Sequence, residues 1–201
     1  MSCPVISIDS DNSCGYLDLI MGPMFSGKTE FLLRELHIFS IMGASVLYVN
    51  HSLDTRGEIF SSHNPFLKPI VNFHSKKLSD ITDLLTIAKD YLVIGIDEAQ
   101  FFGGLKDVVM ELVEQQGKRV LVAGLSGTFK RTAFGDMIDL IPLCDRVTKL
   151  TSCCTECAKH KKIKQAHFSH RLDHTNVDNI LVGASHEYVP LCRECYLVLN
   201  K

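Results

Sequence analysis

The chain has 201 residues, 46% hydrophobic and 22% charged, which suits one packed α/β domain with a small appendage and excludes a disordered chain. Lys plus Arg total 21 against 23 Asp plus Glu, a balance that offers no general electrostatic reason to bind nucleic acid or an acidic membrane surface. The first residues carry Asp9 and Asp11 without a basic segment and apolar stretch, and no apolar run approaches a bilayer span, so a soluble, cytoplasmic protein with reduced cysteines is expected.

Residues 1–14 read as an N-terminal arm. Tyr16–Met21 is a short apolar strand interrupted by Asp18, followed by a Gly-rich turn. Lys28–Met42 has helical apolar spacing through Phe31, Leu32, Leu36, Phe39 and Met42, and Gly43 is a helix stop. Ser45–Val49 is a second strand, and Asn50–Ser79 reads mostly as loop. Leu78–Lys89 and Leu105–Gln116 are expected helices. Tyr91–Ile96 and Val120–Gly124 lack polar alternation, as strands buried on both faces do. Strands and helices alternating to about residue 150 imply a doubly wound parallel sheet over 15–150. Residues 151–201 change character, with five of the eight cysteines and a basic, His-bearing stretch at 159–170, and are expected to form a separate small lobe.

Gly22-Pro23-Met24-Phe25-Ser26-Gly27-Lys28-Thr29 matches G-x-x-x-x-G-K-[ST] between a strand and a helix, the context this phosphate loop requires. Glycines let backbone N–H groups converge on phosphate oxygens, and the helix adds its positive end. Lys28 is placed to reach the outer phosphates of ATP, and the Thr29 hydroxyl to coordinate Mg²⁺. The Tyr91–Ile96 strand runs into Asp97-Glu98, two carboxylates where a nucleotide-binding sheet keeps its Mg²⁺-associated acid. Alternation along a strand would point them apart, so Asp97 is the metal acid and Glu98 the candidate general base for a substrate hydroxyl. A helix N-cap with an acidic first turn is the plainer account of such a pair.

Cys154-x-x-Cys157 and Cys192-x-x-Cys195 form two hooks whose four thiolates can close around one structural Zn²⁺. Four buried thiols are the alternative. Cys153 breaks the spacing, His160, His167, His170 and His174 read as loop histidines, and Cys144 as a core thiol. A nucleic-acid-dependent ATPase remains the rival function, because Asp97-Glu-Ala-Gln100 looks like a helicase acidic box; such motors are commonly built from two α/β lobes. A guanine-reading Asn-Lys-x-Asp string is absent.

Taken together, Gly22–Thr29, Asp54-Thr-Arg56, Gly95-Ile-Asp-Glu-Ala-Gln-Phe-Phe102, Gly127-Thr-Phe129 with Phe134-Gly135, and the cysteine pairs resemble the cellular and poxviral (type II) thymidine kinase family, in its order and spacing from about residue 16 to 196. The resemblance implies a RecA-like P-loop domain and a zinc lobe carrying a lasso loop over the nucleoside. It also implies a homotetramer that phosphorylates thymidine with Mg-ATP and is inhibited by thymidine triphosphate. By resemblance Glu98 is the catalytic base, Asp97 and Gln100 form the acid-strand site, and Asp54 and Arg56 the second phosphate-side motif. Met24, Phe101, Leu125, Phe129 and Tyr188 then line the thymine pocket, and Asn179-Ile180-Leu181-Val182-Gly183 is the lasso segment that hydrogen-bonds the base through its backbone. Ser126 stands where the family commonly has an acid, and Ala133 where it commonly has Pro.

Overall fold

The computed structural model describes residues 14–54, 73–172 and 187–200. Arg56, the Asn179–Gly183 segment, His174 and residues 1–13 lie outside the described residues.

Six parallel strands form one sheet: β1 (Tyr16–Met21), β2 (Val46–His51), β3 (Phe73–Leu78), β4 (Val93–Ile96), β5 (Arg119–Gly124) and β6 (Arg146–Lys149), in the spatial order β3-β2-β4-β5-β1-β6. The four inner strands carry the apolar residues on both faces that the sequence pattern predicts. Leu17, Leu19, Met21, Val49, Ile94 and Ile96 face one core, together with helix α3 (Leu105–Met110). Ile20, Val46, Tyr48, Val93, Leu121 and Ala123 face the other, under α1 (Lys28–Ile41). Gly95 lies beneath α1, and a Cβ there would stand 2.3 Å from Leu36 Cδ1, so the helix sits on the sheet at this residue.

Several expectations shift. The Asn50–Ser79 stretch contains the edge strand β3, whose sequence Phe-His-Ser-Lys-Lys-Leu lacks an apolar run because much of the strand meets solvent. The helix expected over Leu78–Lys89 is only α2 (Asp83–Ile87) with a 3₁₀ turn at Ala88–Asp90, since Leu78 closes β3. The helix expected to Gln116 leaves α-geometry at Met110 and continues as a π-helix over Glu111–Gln115. Strand β6, the other edge, was not among the expected elements. Cys144 is only partly buried against the core. Asp18 does not interrupt β1: it is buried, with Arg119 Nη2 at 3.1 Å and Arg146 Nε at 2.6 Å from its carboxylate.

Beyond β6, the chain adds β7 (Ser152–Cys153) paired with β8 (Gln165–Ala166), β9 (Phe168–Arg171) paired with β10 (Tyr188–Leu191), and the short helices α4 (Thr155–Lys159) and α5 (Arg193–Leu199). Their buried cluster is small: Cys154, Ala166, Leu191, Cys192 and Tyr196. Among the described residues, no helix is long and apolar enough to cross a membrane.

Candidate active site

The turn from β1 into α1 is built for close backbone approach. Gly22 has no room for a Cβ, which would lie 2.6 Å from Ser26 Oγ and 2.8 Å from the Leu150 carbonyl oxygen. Gly27 adopts φ 77°, the left-handed region that favours glycine. Phe25 adopts φ 62° although it carries a side chain, a strained arrangement of the kind functional turns keep. Ser26 Oγ and Lys28 Nζ both donate to the Pro23 carbonyl, at 2.8 and 2.9 Å, and brace the loop.

Strand β5 stands between β1 and β4, so the loop strand and the acidic strand are two spacings apart, about 9.6 Å. Helix α1 closes this gap. It crosses the face of the sheet that carries Val93, Gly95 and Asp97, and the Thr29 hydroxyl of its first turn favours the charged form of the Asp97 carboxylate. Asp97 Oδ1 also accepts the Glu98 backbone N–H at 2.9 Å, and Oδ2 accepts the Tyr48 hydroxyl at 2.9 Å. Burial pushes the Asp97 carboxyl up to about 6, with the neighbouring Glu98 carboxylate adding to the rise against these three donors. Burial, and then Asp97, push the Tyr48 phenol well above its ordinary range.

Glu98 diverges from Asp97 by a different route than strand alternation. The strand ends at Ile96, and Glu98 turns out in a left-handed conformation, φ 49° and ψ 37°. Its half-buried carboxylate accepts Gln100 Nε2 at 2.6 Å, and Gln100 Oε1 accepts the Leu125 N–H at 2.9 Å, so one buried amide joins Glu98 to the end of β5. Asp54, at the end of the β2 turn, is buried and accepts Asn50 Nδ2 at 2.8 Å, while its carbonyl accepts Lys77 Nζ at 2.7 Å.

Of the expected base-pocket residues, Met24, Phe101 and Leu125 follow the C-terminal ends of β1, β4 and β5. Phe101 lies 5.7 Å from the rings of His51 and Phe134. Met24 N–H donates to Ser169 Oγ at 3.0 Å, which ties the phosphate loop to β9. The Phe129 carbonyl accepts the Tyr196 hydroxyl from α5, the Arg171 guanidinium lies 5.2 Å from the Phe129 ring, and Tyr188 pairs with Arg171 across β9 and β10. The turn that presents Phe129 is closed by a Gly127–Ala133 bridge and a Thr128 N–H to Thr132 carbonyl bond of 2.9 Å, so Ala133 serves there without proline. Tyr48, His51 and Ser169 escaped the sequence reading because none sits in a motif; only burial in three dimensions marks them.

The four cysteines of the two hooks come together, their Sγ atoms all within 4.8 Å of one another. Cys157 Sγ lies 3.9 Å from Cys192 Sγ and 3.7 Å from Cys195 Sγ. A tetrahedral zinc with ~2.3 Å bonds to sulfur has its ligands about 3.8 Å apart, so the donor set fits that ion in number, type and spacing. His170 is engaged elsewhere, with Asn200 Nδ2 3.0 Å from its Nδ1, and Cys153 is exposed.

A raised carboxyl gives a stability prediction for the metal-free protein. Because the folded value for Asp97, about 6, exceeds the ordinary 3.8, the penalty is absent below about pH 4, grows between pH 4 and 6, and is full above 6, amounting to about 3 kcal/mol. Asp97→Asn should therefore raise the urea midpoint, and by more at pH 8 than at pH 5. An equal gain at both pH values would show that no buried charge is involved.

A parallel α/β sheet, a glycine-bearing phosphate loop and a buried acid at the end of the strand beneath that loop's helix define the class: a P-loop protein of the nucleotide-dependent phosphotransferase kind. The thymidine kinase family model matches residues 15–196. The chain is 37% identical over 185 residues to a thymidine kinase of Variola virus, and 36% identical over 184 and 185 residues to those of Monkeypox virus and Vaccinia virus (strain Western Reserve); each comparison covers 91% of this chain and 97% of the relative. The chain belongs to the thymidine kinase family, and is a kinase.

Proposed function

We propose that the chain transfers the γ-phosphoryl group of Mg-ATP to the 5′-hydroxyl of thymidine, with Glu98 as general base. The observation that carries this reading is the packing of α1, which opens on the phosphate loop, against β4 at Gly95, two residues before Asp97, with the Glu98 carboxylate one residue further on. Backbone N–H groups of Phe25–Thr29 hold the phosphates and Lys28 their outer oxygens, with Pro23 giving up its hold on Nζ. Thr29 and Asp97 hold Mg²⁺, directly or through its water, and Asp54 and Arg56 complete the phosphate side. When bound, the ion neutralises charge on the β- and γ-phosphate oxygens. Glu98, kept in place by Gln100, accepts the proton of the 5′-hydroxyl as that oxygen attacks in line, and a pre-aligned pair of reactants supplies much of the rate.

Met24, Phe101, Leu125, Phe129 and Tyr188 line the thymine pocket, and the 179–183 segment covers the base. Apolar side chains with a few backbone polar groups suit a pyrimidine edge. Residues 15–150 serve as the ATP-binding domain and 151–201 as the zinc lobe, with Cys154, Cys157, Cys192 and Cys195 holding the ion. Family membership supports a cytoplasmic homotetramer inhibited by thymidine triphosphate.

The test is a purified-protein assay of the four deoxynucleosides with Mg-ATP, following monophosphate formation. Thymidine should be phosphorylated, and Lys28→Ala should lose at least about two orders of magnitude of that activity, as expected when a fixed charge on the transferring phosphate is removed. ATP turnover that ignored nucleosides and required DNA or RNA would overturn the reading in favour of a nucleic-acid-dependent ATPase.

A further inference from the structure

We infer that Tyr48 is a positioning residue for the metal site, orienting the Asp97 carboxylate toward Thr29 and the ion; this rests on the reading of Asp97 given above. Tyr48 and Gly95 are register partners in the parallel β2–β4 pair, and both belong to the face under α1, as does Asp97 two residues beyond Gly95. Two residues along a parallel strand span about 6.6 Å. A tyrosine leaning along the strand covers that distance, whereas a serine or threonine at the same position does not. Its hydroxyl reaches Asp97 Oδ2 at 2.9 Å, with Tyr48 2% and Asp97 1% exposed.

The ring is held in the core formed by Leu32, Leu36 and Val93, so the hydroxyl is presented from a fixed support. With Oδ1 taken by the Glu98 N–H, the carboxylate plane is pinned at both oxygens before any ion arrives. Without the phenol, Oδ2 loses its donor from β2 and the carboxylate is free to rotate away from Thr29. Hydrogen bonds that orient a metal-holding carboxylate typically change metal affinity 10- to 100-fold when removed.

The experiment measures ADP affinity by calorimetry, once with Mg²⁺ and once in magnesium-free buffer without chelator so that the cysteine site is undisturbed, on wild type, Tyr48→Phe, Tyr48→Met and Asp97→Asn, with a melting temperature for each. For the two Tyr48 variants the affinity without Mg²⁺ should match wild type, while the affinity in Mg²⁺ falls about tenfold. Wild-type affinities in Mg²⁺ for both, alongside a defective Asp97→Asn, would overturn the role of Tyr48 and leave that of Asp97 standing. An Asp97→Asn protein that kept the full Mg²⁺-dependent gain would sink the reading of Asp97 itself. Equal weakening with and without Mg²⁺, or failure of both hydroxyl-free variants to fold, would make Tyr48 a residue of the core alone and overturn the proposal.

Discussion

Glu98→Gln should fold, bind ATP and thymidine as wild type does, and lose about 10²- to 10⁴-fold in kcat, the range a positioned general base supplies. The substitution is informative because it is local. A glutamine retains an oxygen for Gln100 Nε2, now 2.6 Å from the carboxylate, so the link through Gln100 to Leu125 survives and the turn keeps its shape. What disappears is the capacity to accept a proton. Glu98→Ala would be a poorer probe, because it also leaves the buried Gln100 amide short of a partner. The measurement is steady-state turnover together with direct binding constants for each substrate; a variant with near-normal kcat would remove Glu98 from the role of base.

Cys157→Ser, or stripping the metal with a strong chelator, should melt the cysteine lobe and raise the KM for thymidine more than tenfold. The lobe has little apolar core of its own to hold it without the metal. Outside the ligands, the buried apolar cluster of the lobe holds only Ala166, Leu191 and Tyr196 among the described residues. A structural zinc contributes on the order of 10 kcal/mol or more. Loss of the lobe would reach the substrate through two contacts: Ser169, which holds the Met24 N–H, and Tyr196, which holds the Phe129 carbonyl. Zinc content by atomic absorption, melting temperature and thymidine affinity should fall together. Intact melting and thymidine binding after complete zinc loss would refute a structural metal.

How much of the site was legible in advance depended on whether chemistry was concentrated in a short string. The phosphate loop needs glycines at two fixed places and a Lys-Thr pair beside them, so its constraint is written in eight consecutive residues. The hooks needed only spacing, and their four sulfurs do converge. The edge strands β3 and β6 were missed because an edge strand, solvated on one side, lacks the unbroken apolar run that exposes an inner strand to view. The direction of Glu98 was correctly expected to differ from that of Asp97, but the cause is a left-handed turn rather than alternation, and no residue type at position 98 announces it.

The sequence by itself determined the class of sheet, the phosphate loop, the acidic strand end, the cysteine quartet and the likeness to thymidine kinases. Local chemistry and periodicity act over a few neighbours and so leave a local record. The tertiary structure alone decided that α1 carries Thr29 across the intervening strand β5 to Asp97, that Gln100 links Glu98 to β5, and that Ser169 and Tyr196 fasten the cysteine lobe to the loops beside the site. Those contacts join residues up to 145 positions apart. A side chain's partner at such a distance is set by how the layers pack, which no short stretch of sequence records.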